Sequence, residues 1–290
     1  MSSDAARSAQ SLSAIAGFRL VTADLSHLSM FYRDVLGFVP DGPEQAISGE
    51  EMSLLGLHGT GRRHVLLLGA QSVGIEPFDP PGRPYPASGN AACLSFQHLA
   101  LVVADMAQTY QRVQGAPAIS VGGPQHLPAS AGGVFAYKFR DPDGHPLELL
   151  QFPDDAGPLA WRGKSASAAQ IGFGIDHSAI SVADADASVA FYSRLGLKPG
   201  ERSLNHGPEQ QCLDNLGEVV VTVAPLHAFE TTPHLELLGY HAPRGKAGPV
   251  FRANDVAATR IVWQGVRAAL LHDPDGHLQQ VSQREQEISP

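Results

Sequence analysis

Histidine and carboxylate side chains are the residues of this chain best suited to metal chemistry. There are thirteen histidines but only two cysteines, which lie far apart with no CxxC motif. This pattern argues against a thiolate zinc site or a disulfide framework, so a metal would need nitrogen and oxygen ligands. One candidate is Glu148, which lies between leucines in the segment DPDGHPLELLQF. A second segment, DPDGHLQQVSQ, nearly repeats the first, but Gln280 takes the place of the glutamate.

The composition predicts a folded protein without affinity for polyanions. The 290 residues are 43% hydrophobic, which allows a sizeable core, and the formal net charge is −9. Such a chain offers no basic surface to nucleic acid or to an anionic membrane. No apolar run is long enough to span a bilayer, and the first residues lack the apolar core of a signal peptide. We expect a cytoplasmic protein, and either a monomer or a homodimer is compatible with the sequence.

A sequence motif that predicts a strand followed by a helix recurs along the chain. Its copies are VTADLSHLSMFYRDVLGF (21–38), QHLALVVADMAQTYQRVQG (97–115), SVADADASVAFYSRLGL (181–197) and the weaker GPVFRANDVAATRIVWQG (248–265). Each copy has an aspartate that suits the N-cap of its helix: Asp24, Asp105, Asp184 and Asp255. Shorter apolar strands follow every copy. The pattern predicts a strand, a helix and two or three strands, four times over.

These repeats divide the chain into two halves. The four units span roughly 14–86, 94–153, 174–242 and 246–285, and the fourth has little room for a second strand. We predict a disordered N-terminus at 1–15, an N-terminal domain at 16–153 with units one and two, and a C-terminal domain at 174–290 with units three and four. The Pro-, Gly-, Asp- and Ser-rich segment 154–173 would link them.

The arrangement resembles the vicinal oxygen chelate superfamily, the glyoxalase/bleomycin resistance protein/dioxygenase family. The resemblance depends on FYRDVLGF, FYSRLGL, FRDPDGHPLELLQF and HLELLGY, and it covers nearly the whole chain after residue 15. It implies an α+β fold of four tandem βαβββ units, the last one shortened, that form curled mixed sheets. The fold alone does not fix the reaction, because one fold hosts many chemistries.

The resemblance also implies where metal ligands lie, namely on the first and last strands of a unit. Counting seven residues back from the helix-cap aspartate gives His98 and His177 in units two and three, but Gly17 and Gly248 in units one and four. Counting four residues back from the aromatic residue that closes the last strand gives Glu148, Glu236 and, in unit one, Gly74. The second DPDGH segment gives Gln280. The expected metal ligands are therefore His98, Glu148, His177 and Glu236.

The distribution of these ligands favours one pairing of the units. In four-unit glyoxalase I enzymes, units two and three share one site and units one and four share the other. That pairing would give one site all four ligands and leave the other with none. In extradiol dioxygenases of this length, by contrast, unit three pairs with unit four, where Gly248 and Gln280 could not complete a triad.

By this resemblance the chain is a metal-dependent enzyme with a small-molecule substrate. The first interpretation is a glyoxalase I-like lyase or isomerase, in which Glu148 or Glu236 acts as the catalytic base and one Ni, Co, Zn, Mn or Fe ion is the cofactor. One alternative is an extradiol-type dioxygenase that uses non-haem iron held by two histidines and one carboxylate. A second is a non-catalytic binding or resistance protein, which would have an open cavity without convergent ligands.

Other polar residues have simpler interpretations. The DPDGH segments are favoured turn sequences, so we assign no chemistry to His145 or His277. Glu76 lies on the same face as Gly74, but the counting rule does not select it as a ligand. Lys138 precedes a DPDGH turn, where solvation at a strand edge is the simpler expectation.

Overall fold

The structure is a computed structural model that describes residues 11–87, 89–154, 157–164 and 171–283. The strands within these ranges are β1 (Ala14–Val21), β2 (Val39–Pro40), β3 (Gln45–Ala46), β4 (Thr60–Leu68), β5 (Gln71–Glu76), β6 (Phe78–Asp79), β7 (Gln97–Val103), β8 (Gln125–His126), β9 (Phe135–Arg140), β10 (Pro146–Gln151), β11 (Gly172–Val182), β12 (Lys198–Pro199), β13 (Ser203–His206), β14 (Val220–His227), β15 (His234–Ala242), β16 (Arg260–Gly265), β17 (Ala269–His272) and β18 (Leu278–Gln283). The α-helices are α1 (Leu25–Met30), α2 (Gly49–Leu54), α3 (Met106–Val113), α4 (Ala185–Arg194) and α5 (Pro208–Asp214). A π-helical segment (Phe31–Val35) continues α1.

Three of the four predicted helix caps are confirmed. The side chains of Asp24, Asp105 and Asp184 each accept a hydrogen bond from the backbone N–H three residues later, at the start of α1, α3 and α4. Each bond satisfies a donor that has no partner inside the helix, which fixes where the helix begins. The helices of the first three units therefore begin where their sequences predict.

The fourth unit differs from the prediction, because the described chain has no strand at Gly248 and no helix after Asp255. The carboxylate of Asp255 is bound instead by Arg83 and by the backbone N–H groups of Arg83 and Arg252. Only residues 256–259 then remain before β16, too few for a stable helix. The first strand of this unit is β16, so Gly248 is not the position equivalent to His98 and His177.

The strands form two nine-stranded mixed sheets. The first has the order β17-β18-β16-β1-β5-β4-β2, with β3 and β6 attached to β4, and the second has the order β12-β14-β15-β11-β7-β10-β9-β8, with β13 attached to β14. At the centre of the first sheet β1 pairs with β16, and at the centre of the second β7 pairs with β11, both antiparallel. Units one and four thus share one sheet, and units two and three share the other.

The main core lies on one face of each sheet. In β7 the odd-numbered residues Leu99, Leu101 and Val103 join this core, which also contains Phe18 of β1 and Trp263 of β16. Because side chains alternate along a strand, the even-numbered residues of β7 point to the opposite, concave face. A polar site on that face can therefore form without disturbing the core.

The predicted N-terminal and linker segments are only partly described. Residues 1–10 lie outside the described part, and β1 begins at Ala14, within the stretch predicted to be disordered. In the linker, Trp161 is buried, and its indole N–H donates to Asp176 of β11 at 2.5 Å. The boundaries of the two halves remain predictions. No helix in the described ranges is long and apolar enough to cross a membrane.

Candidate metal centre

The concave face of the second sheet brings together the four residues predicted as ligands. The registers of β10, β7, β11 and β15 align them in two rows across the sheet, Glu148–Ala100–His177 and His98–Ala179–Glu236. Each row places a small, fully buried alanine between a histidine and a glutamate. The alanines leave room above the sheet. All four polar side chains line one cavity of about 320 Å³.

His98 and Glu148 form the deepest pair of this site. Both are almost completely buried, and His98 Nε2 lies 3.0 Å from Glu148 Oε2. Burial, together with the Lys138 ammonium, lowers the pKa of His98 although Glu148 opposes this effect. Burial alone would raise the pKa of Glu148, but the charges of Lys138 and His98 hold it well below its usual value. Glu148 is therefore an ionised carboxylate at neutral pH and can act as a metal ligand.

His177 lies between the two glutamates, and its orientation is fixed by its chain neighbour. Its Nδ1 is 3.0 Å from Asp176 Oδ2, while its Nε2 is 3.6 Å from Glu148 Oε2 and 3.5 Å from Glu236 Oε2. Burial lowers the pKa of His177, but Glu236, Asp176 and Glu148 outweigh it and raise this pKa well above its usual value. A carboxylate that holds Nδ1 in this way leaves Nε2 for a metal ion.

Glu236 is the most accessible of the four residues. Its side chain is 20% exposed, compared with 6% for Glu148. Its Oε1 lies 3.3 Å from Nε2 of His234, which precedes it by two residues and therefore shares its face of β15. Burial would raise the pKa of Glu236, but His177 and His234 lower it. The accessible carboxylate is thus ionised and borders the open cavity.

Three further residues of the site were not selected from the sequence. Asp176 and His177 are adjacent in the chain, and a β-bulge between Ile175 and His177 breaks the strict alternation of β11 there. His234 could have been found from its spacing of two residues from Glu236. Lys138 is buried rather than solvated, and its Nζ donates to Asp214 at 2.7 Å and lies 4.0 Å from Glu148 Oε1.

The donor atoms are close enough to share an ion. The nearest ligand-type atoms of His98, Glu148 and His177 all lie within 4.8 Å of one another, and the same holds for Asp176, His177 and His234. His177 Nε2 faces two carboxylate oxygens at distances longer than a normal hydrogen bond, so an ion could approach all three atoms. Two imidazoles and two carboxylates are ligands that suit a divalent transition metal. The residues present therefore fit such an ion.

The corresponding positions of the first sheet carry no comparable set. The registers of β1, β5, β16 and β18 align Gly74–Arg19–Arg260 and Gly17–Val262–Gln280. Gly74 and Gln280 thus stand at the positions of the two glutamates. Gly17 and Arg260 stand at the positions of the two histidines, and Arg19 and Val262 at those of the two alanines. The position that counting assigned to Gly248 is occupied by Arg260. Glu76, not selected as a ligand, is completely buried and forms an ion pair with Arg260.

Comparison with known proteins adds a family and a fold. The sequence profile of the Glyoxalase/Bleomycin resistance protein/Dioxygenase superfamily matches residues 14–149 and 174–272. Glyoxalase I from Zea mays has a similar structure, with a TM-score of 0.56 and 15% identity over 92% of this chain and 91% of that chain. A "putative dioxygenase" from Bacillus subtilis has a TM-score of 0.54 and 11% identity over 96% of this chain and 87% of that chain. No curated protein matches the sequence significantly.

Proposed function

The chain belongs to the glyoxalase/bleomycin resistance protein/dioxygenase superfamily, and we propose on that premise that it is a metal-dependent, glyoxalase I-like lyase or isomerase. Its substrate would be a small molecule with two neighbouring oxygen atoms. The observation that carries the proposal is the convergence of His98, Glu148, His177 and Glu236 above two alanines in one buried cavity. A binding protein without chemistry has no need for such convergent ligands.

In this proposal the two glutamates have different roles. Glu148 is fixed by His98 and by the nearby charge of Lys138, so it serves as a permanent ligand. Glu236 is more exposed and borders the cavity, so it would be the carboxylate that takes a proton from the substrate. A divalent ion bound here would act as a Lewis acid toward the substrate oxygens. His234, 3.3 Å from Glu236, is placed to hold the carboxylate in position.

The apolar wall of the cavity limits what the substrate can be. Leu127, Leu150, Val221 and Leu238 are among its lining residues, and the last three lie on strands of the same sheet as the ligand-type groups. A bound molecule would therefore direct its oxygen atoms to the ligand-type groups and its carbon atoms to these apolar side chains.

A second candidate function is an iron-dependent dioxygenase. The observation in its favour is that His98, Glu148 and His177 form a compact group, whereas Glu236 approaches only His177 among these three. Two histidines and one carboxylate are the ligands of non-haem iron oxygenases. Oxygen uptake with catechol-like substrates by the iron-loaded protein would favour this candidate over proton transfer.

The proposal can be tested without knowing the natural substrate. Protein loaded with Ni²⁺, Co²⁺ or Zn²⁺ is incubated in D₂O with small α-hydroxy carbonyl compounds, and deuterium at the carbon beside the carbonyl is followed by NMR. We expect metal-dependent exchange that Glu236→Gln reduces by about a hundredfold or more, the usual contribution of a general base. Glu218→Gln, at an exposed position, is the control. Exchange that is equal in Glu236→Gln and the wild type would refute the assignment of the base.

A further inference from the structure

The first sheet has a concave face that corresponds to the candidate metal centre but is filled with guanidinium groups. We call this face, around Arg19, Arg63 and Arg260, the arginine cup. It opens into a cavity of about 760 Å³, which Arg19, Arg63 and Arg267 help to line. Three arginines clustered on one face are unexpected in a chain with a net charge of −9, so we ask what balances their charge.

Part of the cup is a balanced ion network. The carboxylate of Glu76 binds Arg260 and, at 2.6 Å, Nε of Arg63. The second carboxylate, Glu51, accepts from Arg63 at 2.5 Å and from Gln280 at 2.7 Å. Two guanidinium groups and two carboxylates thus satisfy one another. This network needs no further cation.

Arg19 is the excess charge in the cup. Its only hydrogen bond among the described residues is from Nη1 to the backbone carbonyl of Phe18, and its buried Nε has no hydrogen-bond partner there. Nε lies 3.5 Å from Glu76, which is already bound by Arg63 and Arg260. Burial and the charge of Arg63 lower the pKa of Arg19 to about 10. A mostly buried cation that shares its only nearby carboxylate with two other arginines costs free energy, and a further anion would offset that cost.

The backbone beside Arg19 leaves room for its side chain. Gly74 is the partner of Arg19 across β1 and β5, and a Cβ added there would lie 2.9 Å from Cδ of Arg19. A larger residue at position 74 would displace the side chain of Arg19 from its present position. The missing side chain at Gly74 and the position of the Arg19 guanidinium therefore belong to one arrangement.

We propose that the arginine cup binds a small organic anion through a carboxylate or phosphate group held by the guanidinium of Arg19, on the side that faces the cavity. The planar guanidinium fork suits both groups, because each presents two or more oxygens on one atom. The anion would supply the hydrogen bonds that Arg19 lacks and would neutralise the excess charge. This site is separate from the candidate metal centre, since it lies on the other sheet, and it does not depend on the proposed reaction.

Binding is tested by calorimetry and thermal melting of the purified full-length protein with inorganic phosphate and with succinate. Sodium chloride of equal ionic strength is the reference, and the two anions distinguish a phosphate from a carboxylate ligand. We expect at least one of them to bind and to raise the melting temperature more than chloride does. Because an anion could also bind to a metal, His177→Ala protein is measured in parallel, and it should bind the anion as the wild type does.

The decisive variant is Arg19→Gln. It should weaken anion binding at least tenfold, while the melting temperature without anion stays equal or rises because an unbalanced charge is removed. Arg19→Lys should bind with intermediate affinity, since it keeps the charge but loses the fork. Arg62→Gln, on the neighbouring position of β4 and exposed, is the matched control and should bind like the wild type.

Three results would overturn the proposal. The first is that neither phosphate nor succinate binds more strongly than chloride. The second is that Arg19→Gln binds the anion as well as the wild type does. The third is that Arg19→Gln melts several degrees lower without anion, because Arg19 would then be part of the structural network and not a free cation.

Discussion

At the scale of single residues, Ala100 and Ala179 matter to the candidate metal centre as much as its charged groups do. They separate each histidine from a glutamate within its row and leave the space above the sheet open. In the first sheet the larger residues Arg19 and Val262 occupy the corresponding positions. The candidate metal centre therefore depends on small residues at these two positions besides its ligands.

The protonation of His177 predicts a pH dependence of the metal-free protein. Its pKa is raised well above the unfolded value, so its contribution to stability is complete below about pH 6.5 and is lost as the pH rises through the folded pKa. We expect the melting temperature of metal-free wild type to fall as the pH rises above about 6.5, with a smaller fall in His177→Gln. Equal slopes for the two proteins would contradict the charged state assigned to His177.

The sequence could indicate the four ligand positions because each lies at a fixed distance from a cap or a closing aromatic residue. It could not indicate Asp176, since a β-bulge turns it toward the site, and bulges have no reliable sequence signal here. Lys138 is buried, whereas its place in the sequence predicts solvation at a strand edge. Its partner Asp214 is at the end of α5, far away in sequence, so the ion pair that permits its burial is a tertiary feature.

At the scale of elements, the fourth unit lacks its predicted helix because the aspartate predicted to cap it makes another contact. Asp255 resembles the caps of the other units, but Arg83 from the segment before β7 binds its carboxylate. The local sequence predicts a helix cap at Asp255, but the contact with Arg83, which is distant in sequence, occupies its carboxylate instead. This also explains why counting from Asp255 gave Gly248, whereas the register of β16 gives Arg260.

The ion network of the arginine cup gives a prediction about stability. Glu76→Gln removes a completely buried carboxylate and leaves Arg19, Arg63 and Arg260 facing the single charge of Glu51. Because it leaves buried charges uncompensated, we expect a loss of about 3–5 kcal/mol in urea unfolding.

The matched control for this variant is Glu44→Gln. It breaks the exposed ion pair with Arg62 and should cost less than about 1 kcal/mol, because water screens such pairs. If the two variants lost similar amounts of stability, the buried network would not be an important support of the first sheet.

At the scale of the whole molecule, the sheets join the two halves of the chain. Each central strand pair has one strand from residues before the linker and one from residues after it, namely β1 with β16 and β7 with β11. The repeats and their ligands suggested this pairing, although only the family resemblance supplied it as a rule. Sequence periodicity alone does not determine which units meet, because every unit has similar strands.

This pairing predicts how fragments behave. Neither 1–154 nor 171–290 should fold into a stable monomer, because each would expose the central edge of two half-sheets. Co-expressed fragments should associate into a complex with native-like circular dichroism. A fragment that unfolds cooperatively as a monomer, measured by sedimentation and thermal melting, would contradict the shared sheets.

The central claim is that one metal ion is shared by strands of units two and three, and metal content tests it most directly. Full-length wild type, His98→Ala and His177→Ala are loaded with metal, passed through a desalting column and analysed for metal by mass spectrometry. His126→Ala, at an exposed position, is the control, and circular dichroism confirms folding. The account predicts one ion per chain in the wild type and the control, and a large loss in both site variants. Full metal content in both site variants, or none in the wild type, would contradict it.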